Sequence, residues 1–245
     1  MIEASKSRWF NAWFARHARS RIRRTFGRVL VSGLAEARIA AGQAPLLLVA
    51  NHTTWWDALV ALYVSELLLG CDGYAMMDAA NLRRVPFFRR VGAFGVDLDD
   101  PADGARAIRH TARLLGTKGR AVWIFPEGRE RSPFAALDLR PGAAQIARVA
   151  KRAVVVPVGL RYVFGAAEGP DLWIAMGPAL AAERDVARGT DAQRRGIELE
   201  LSRIDRALAG PNDRTIHDEF EEVMRQRSSV VGRLAERLLA RLLPA

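Results

Sequence analysis

The chain has 245 residues, 50% of them hydrophobic, enough for one large α/β domain with a substantial core. Its single cysteine, Cys71, excludes an intrachain disulfide and a cysteine-based metal cluster, and its setting in LLLGCDGYAMM reads as a buried apolar side chain. The formal net charge of +10 suits nucleic acid and anionic lipid equally well.

Residues 1–43 hold nine Lys/Arg against Glu3 and Glu36, and are read as a basic, amphipathic arm that is helical over about 5–40. Trp9, Phe10, Trp13 and Phe14 fall on one side of that helix, with arginines following. Aromatics beside arginine suit the headgroup region of an anionic membrane better than nucleic acid. The alternative is a helix packed on the domain with its arginines solvated. Arg8, Arg16 and Arg19 break the first apolar stretch, so no signal peptide is expected. The most apolar segment, 58–70, falls short of the roughly 20 residues of a membrane span and carries Glu66. The expectation is an intracellular protein lying peripherally on the cytoplasmic face of a membrane.

Residues 44–245 are read as a single α/β domain. LLLVA at 46–50 predicts a short buried strand, and Trp56 to Leu69 a helix ending at Gly70. Further strands are predicted at 74–77, 91–98, 121–128, 153–163 and 171–177, with NLRRVPFFRR at 81–90 as a basic turn. Helices are predicted at 101–116, opened by Asp100-Pro101, at 142–151, and from about 188 onward. In the last of these, VVGRLAERLLARLL at 230–243 places leucines on one face beside arginines. Strands alternating with helices predict a central, largely parallel sheet flanked by helices.

In such sheets sites gather at the carboxyl ends of strands, where His52, Asp97 and Glu127 stand. His52 and Asp57 lie five positions apart in NHTTWWD, so their side chains meet only if the chain turns between strand and helix.

NHTTWWD resembles the H-x4-D block of the glycerolipid acyltransferases, the lysophosphatidic acid acyltransferase-like superfamily. VGAFGVDL, FPEGRERS and VVVPVGL resemble its second, third and fourth blocks, in order, within about 45–180. The resemblance implies an O-acyltransferase that moves a fatty acyl group from acyl-CoA or acyl-carrier protein to a hydroxyl of a lipid acceptor such as 1-acylglycerol 3-phosphate. It makes His52 the general base and Asp57 the carboxylate that fixes its tautomer and stabilises the imidazolium, the role aspartate plays in a serine hydrolase triad. No metal or cofactor is implied. The threonines and tryptophans between them shape the turn and wall the acyl channel, or simply pack the core.

Glu127 and Gly128 inherit the acceptor site of the third block. Two departures matter. Leu98 stands where the second block usually ends in a phosphate-binding arginine, and Arg129-Glu130-Arg131-Ser132 stands for Thr-Arg-Ser. Arg129 or Arg131 supplies the lost charge, or the acceptor is a non-phosphorylated lipid, glycolipid or terpenoid hydroxyl. A nucleic-acid-binding protein does not account for the ordered blocks, and a serine or thiol hydrolase lacks its G-x-S-x-G elbow.

Overall fold

A computed structural model of the chain describes residues 1–165, 169–210 and 219–226. The elements run α1 (Arg8–Thr25), β1 (Arg28–Ser32), α2 (Leu34–Gln43), β2 (Leu46–Ala50), α3 (Trp56–Tyr63, prolonged by a wider π-type turn Val64–Leu68) and β3 (Asp72–Asp78). They continue with α4 (Ala79–Arg84), β4 (Ala93–Val96), α5 (Pro101–Leu114), β5 (Arg120–Ile124), α6 (Gly142–Val149), β6 (Val154–Val163), β7 (Asp171–Met176), α7 (Val186–Ala209) and β8 (Glu221–Arg225).

β2 is apolar throughout and has no exposed surface. Successive strand residues point to opposite faces, so Leu46, Leu48 and Ala50 enter one core layer while Leu47 and Val49 enter the other. A strand apolar on both sides requires helices on both sides. Side chains of α1, α2 and α3 fill the first layer. Those of α6 and α7 fill the second, with α5 packed beside α6. The sheet has the order β4-β3-β5-β2-β6-β7-β1-β8. Among the described residues it is parallel except where β7 meets β6 and β8 meets β1.

The strands and helices between 44 and 210 stand close to where the sequence places them; the two ends differ. The helix expected over 5–40 is interrupted by β1, which lies in the sheet between β7 and β8. Val29, Leu30 and Val31 are buried, β-branched at two of three positions, and bracketed by Gly27 and Gly33. Gly33 turns the chain into α2 at φ 71°, and a Cβ there would collide with the carbonyl oxygen of Met176. Beyond α7 the expected helix gives way to β8, whose Met224 enters the core as the strand pairs antiparallel with β1. NLRRVPFFRR is not an open turn: it forms most of α4, whose Asp78 cap accepts from the Asn81 N–H, and a short 3-10 turn at Pro86–Val91. The leucine-arginine stretch at 230–243 lies outside the described residues. No described helix is long and apolar enough to cross a membrane.

Candidate active site

β2 and β5 are neighbours, with Val49 opposite Ile124, so the residues that follow them come out side by side. The chain leaves β2 toward α3 on one face and leaves β5 toward α6 on the other. That divergence opens a crevice at the carboxyl ends of the strands.

Asn51 makes the exit from β2. Its side-chain amide donates to the Leu160 carbonyl (3.1 Å) and accepts from the Leu160 N–H (2.8 Å). The amide thus stands in for one more rung of the β2–β6 ladder while the main chain turns away. His52 is then gripped through its backbone by the loop after β5. Its N–H donates to Glu127 Oε2 (2.9 Å), and its carbonyl accepts from the Arg131 N–H (2.8 Å).

Residues 53–55 turn into α3 and bring Asp57, fully buried, back to the imidazole. His52 Nδ1 lies 2.7 Å from Asp57 Oδ2. A carboxylate only accepts, so Nδ1 carries the hydrogen and Nε2 is left with its lone pair. Nε2 has no partner among the described residues. The same Oδ2 accepts from the N–H groups of Thr53 (2.9 Å) and Thr54 (3.2 Å), and Oδ1 accepts from the Tyr162 hydroxyl (2.5 Å). Four donors satisfy the buried carboxylate, with the amino end of α3 adding a favourable dipole. Burial, reinforced by the Asp57 charge, holds the Tyr162 phenol well above its ordinary value, so it remains a donor. The His52 ring lies against Phe125 (centroids 4.7 Å apart), which stacks in turn on Trp123.

Glu127 is buried beneath His52. Burial raises its pKa, against the lowering effects of the His52 N–H bond and the Arg131 charge. Gly128 follows at φ 73°, and a Cβ there would meet Arg140 Nε at 3.1 Å and Leu98 Cδ1 at 3.3 Å. The second and third blocks therefore come together at Leu98 and Gly128, with the Arg140 side chain beside Gly128. Arg131 is committed to the loop: Nη2 binds Asp138 (2.7 Å) and Nε is 4.0 Å from Glu127. The guanidinium groups of Arg129 and Arg140, both exposed residues, have no acceptor among the described residues, although the Arg140 N–H donates to the Pro126 carbonyl (2.9 Å).

Asp97 does not join this group. It is exposed, accepting from the Asp99 N–H (3.1 Å) while its own N–H binds Asp103. β4 is an edge strand separated from β5 by β3, which explains why its carboxylate falls short. Cys71 is buried just before β3, at the amino ends of the strands and so across the sheet from His52. Burial, then Glu66 and Asp72, push its thiol up, away from the thiolate a nucleophile needs. Of the two tryptophans in NHTTWWD, Trp56 packs inward and Trp55 is 53% exposed, stacked on its neighbour.

A family model described as Acyltransferase matches residues 28–161, from β1 into β6. The chain belongs to the acyltransferase family. The glycerolipid branch read from NHTTWWD and FPEGRERS is the one its relatives share. This acyltransferase is 31% identical over 109 residues to the 1-acyl-sn-glycerol-3-phosphate acyltransferase of Streptococcus pneumoniae, covering 43% of this chain and 38% of that one. It is 33% identical over 143 residues to the lysophospholipid acyltransferase LPCAT4 of Homo sapiens, covering 56% of this chain and 24% of the human protein. The chain thus spans well under two thirds of either relative.

Asn51, Tyr162 and Arg140 are site residues that the sequence reading missed. Tyr162 stands one residue before the end of the fourth block's strand, but its partner lies 105 positions away.

Proposed function

We propose that this acyltransferase moves a fatty acyl group from a thioester of coenzyme A or acyl-carrier protein to a hydroxyl of a glycerolipid such as 1-acylglycerol 3-phosphate. The observation that carries this reading is the His52–Asp57 pair, oriented through Nδ1, with no serine, threonine or cysteine among the described residues bonded to Nε2. In a hydrolase triad the base faces its own nucleophile. Here the nucleophile is the acceptor hydroxyl. Its proton passes to His52 Nε2 as its oxygen attacks the thioester carbonyl carbon. The C–S bond then breaks, and the leaving thiolate takes the proton back from the imidazolium, which Asp57 stabilises meanwhile. The scheme draws only on the chain's own side chains and the two substrates.

Two spaces flank the base. On the α3 side a narrow apolar slot of about 30 Å³ is lined by Ala58, Ala61, Leu62, Gly73, Ala75 and Trp123, and Trp123 stacks on the Phe125 ring that lies against His52; its lining matches the methylenes of an acyl chain, which enters only if the slot widens. On the α7 side a polar pocket of about 200 Å³ is lined by Thr53, Glu127, Ser132, Arg161, Ser202 and Asp205, and suits the acceptor's glycerol. Leu98 binds no anion. Arg131 is engaged with Asp138, so Arg129 and Arg140, unpaired beside Gly128, are the cations that meet an acceptor phosphate.

The lipid acceptor is reached at an anionic membrane surface. α1 buries Phe14 against Phe87 and Phe88 while leaving Trp9 71% and Trp13 53% exposed, with Arg8, Arg16, Arg19 and Arg23 exposed around them. Half of the aromatic side packs on the domain and half faces outward, which supports the membrane reading without excluding a structural role for the helix.

Incubating the protein with labelled acyl-CoA or acyl-carrier protein, and with phosphorylated or neutral lysolipids, tests the proposal. Acylation of 1-acylglycerol 3-phosphate, with KM raised about tenfold to a hundredfold by Arg140→Ala or Arg129→Ala, is the expected result. Transfer to neutral acceptors alone selects the non-phosphorylated reading that Leu98 keeps open; thioester hydrolysis without transfer overturns both.

A further inference from the structure

Asp57 is held on both oxygens, and the two sides are not alike. Oδ2 takes the imidazole and two N–H groups from its own turn, all within five residues. Oδ1 takes one donor, the hydroxyl of Tyr162, 105 positions along the chain and on another strand. β6 is long enough to overshoot β2: Ala50 pairs with Val158, and the strand runs on to Val163 alongside β7. Tyr162 stands on that overhang, on the α3 face, its ring propped by Phe26 (5.7 Å), which also supports Trp56 (5.1 Å). A phenylalanine would fill the same space. The hydroxyl is therefore aimed, not incidental.

We infer that Tyr162 is a positioning residue of the acyl transfer, extending the dyad to Tyr162–Asp57–His52 and setting how strongly Asp57 holds the proton-bearing imidazolium. The inference rests on His52 being the base. A hydrogen bond to Oδ1 draws charge away from Oδ2. Asp57 then shares its charge between the phenol and the imidazolium that forms as the proton is taken. The phenol cannot follow pH itself, since burial and Asp57 keep it protonated. The other groups facing the pair are Glu127 and Arg131 from the loop after β5, the Phe125 ring, and Arg21 of α1 over the Trp56 ring.

Two changes of opposite sign test this. Tyr162→Phe removes the donor, so the acid limb of kcat/KM against pH moves to higher pH, kcat falls about threefold to thirtyfold, and KM for either substrate stays within twofold, because Tyr162 lines neither substrate space. Replacing Tyr162 by 3-fluorotyrosine, a stronger donor of nearly the same shape, moves the limb to lower pH. NMR titration of the His52 imidazole shows the same pair of displacements without any turnover, so it remains readable if the transfer reaction itself is misassigned. Should Tyr162→Phe fail to fold, the fluorotyrosine protein alone decides. Acid limbs and imidazole titrations that coincide with the wild type in folded proteins overturn the inference.

Discussion

Glu127 is a buried acid whose position beside His52 costs stability at neutral pH. The carboxyl is buried and its pKa is raised, chiefly by desolvation, so the folded chain holds its proton more tightly than the unfolded chain does. Stability from this group is present at acid pH and is lost as pH rises from the ordinary glutamate range through the folded value. Glu127→Gln keeps an acceptor for the His52 N–H and removes the buried charge. Its Tm is expected to exceed that of the wild type at neutral pH, with the gap closing on acidification, while transfer is impaired; a gap that widens on acidification contradicts this. Gly128→Ala is expected to impair transfer by displacing Arg140 and Leu98 and by straining a backbone at φ 73°, which loss of kcat/KM with little change in far-UV circular dichroism reports. His52 and Asp57 were legible because their motif is contiguous and its chemistry demands a turn. Asn51, Tyr162 and Arg140 were not, because each acts through a partner brought close only by the sheet or by the loop after β5.

Among the elements, β2 carries the most weight, since both core layers and the His52–Asp57 turn hang from it. Leu48→Ala opens a cavity at a fully buried position and is expected to cost about 2–5 kcal/mol, read as a lowered denaturant midpoint with an unchanged slope. Strands such as LLLVA and VVVPVGL announce themselves as apolar runs bounded by turn residues. β1 and β8 do not: RVLVS sits inside an arginine-rich stretch whose charge pattern reads as helix, and EEVMR carries three charges in five residues. β8 becomes a strand because β1 is there to pair with it, a pairing between residues nearly 200 positions apart that no local window contains. The parallel β1–β7 contact has the same non-local origin.

At the scale of the whole molecule, β1 changes how the arm is to be tested. Deleting residues 1–40 would remove a strand from within the sheet, so loss of vesicle binding by such a truncation would report unfolding. Replacing exposed Trp9 and Trp13 by serine leaves the buried side of α1 intact. Flotation of this double variant on anionic vesicles is expected to drop, and wild-type flotation to weaken with salt; unchanged flotation would make α1 purely structural. The central claim is narrower: His52 takes the acceptor's proton. It is tested most directly by the single-turnover rate of acyl transfer from labelled thioester to lysolipid for the wild type and His52→Ala, each checked for its fold by circular dichroism. The account predicts a rate lower by about 100- to 10,000-fold in a folded variant; a folded His52→Ala protein transferring at close to the wild-type rate would contradict it.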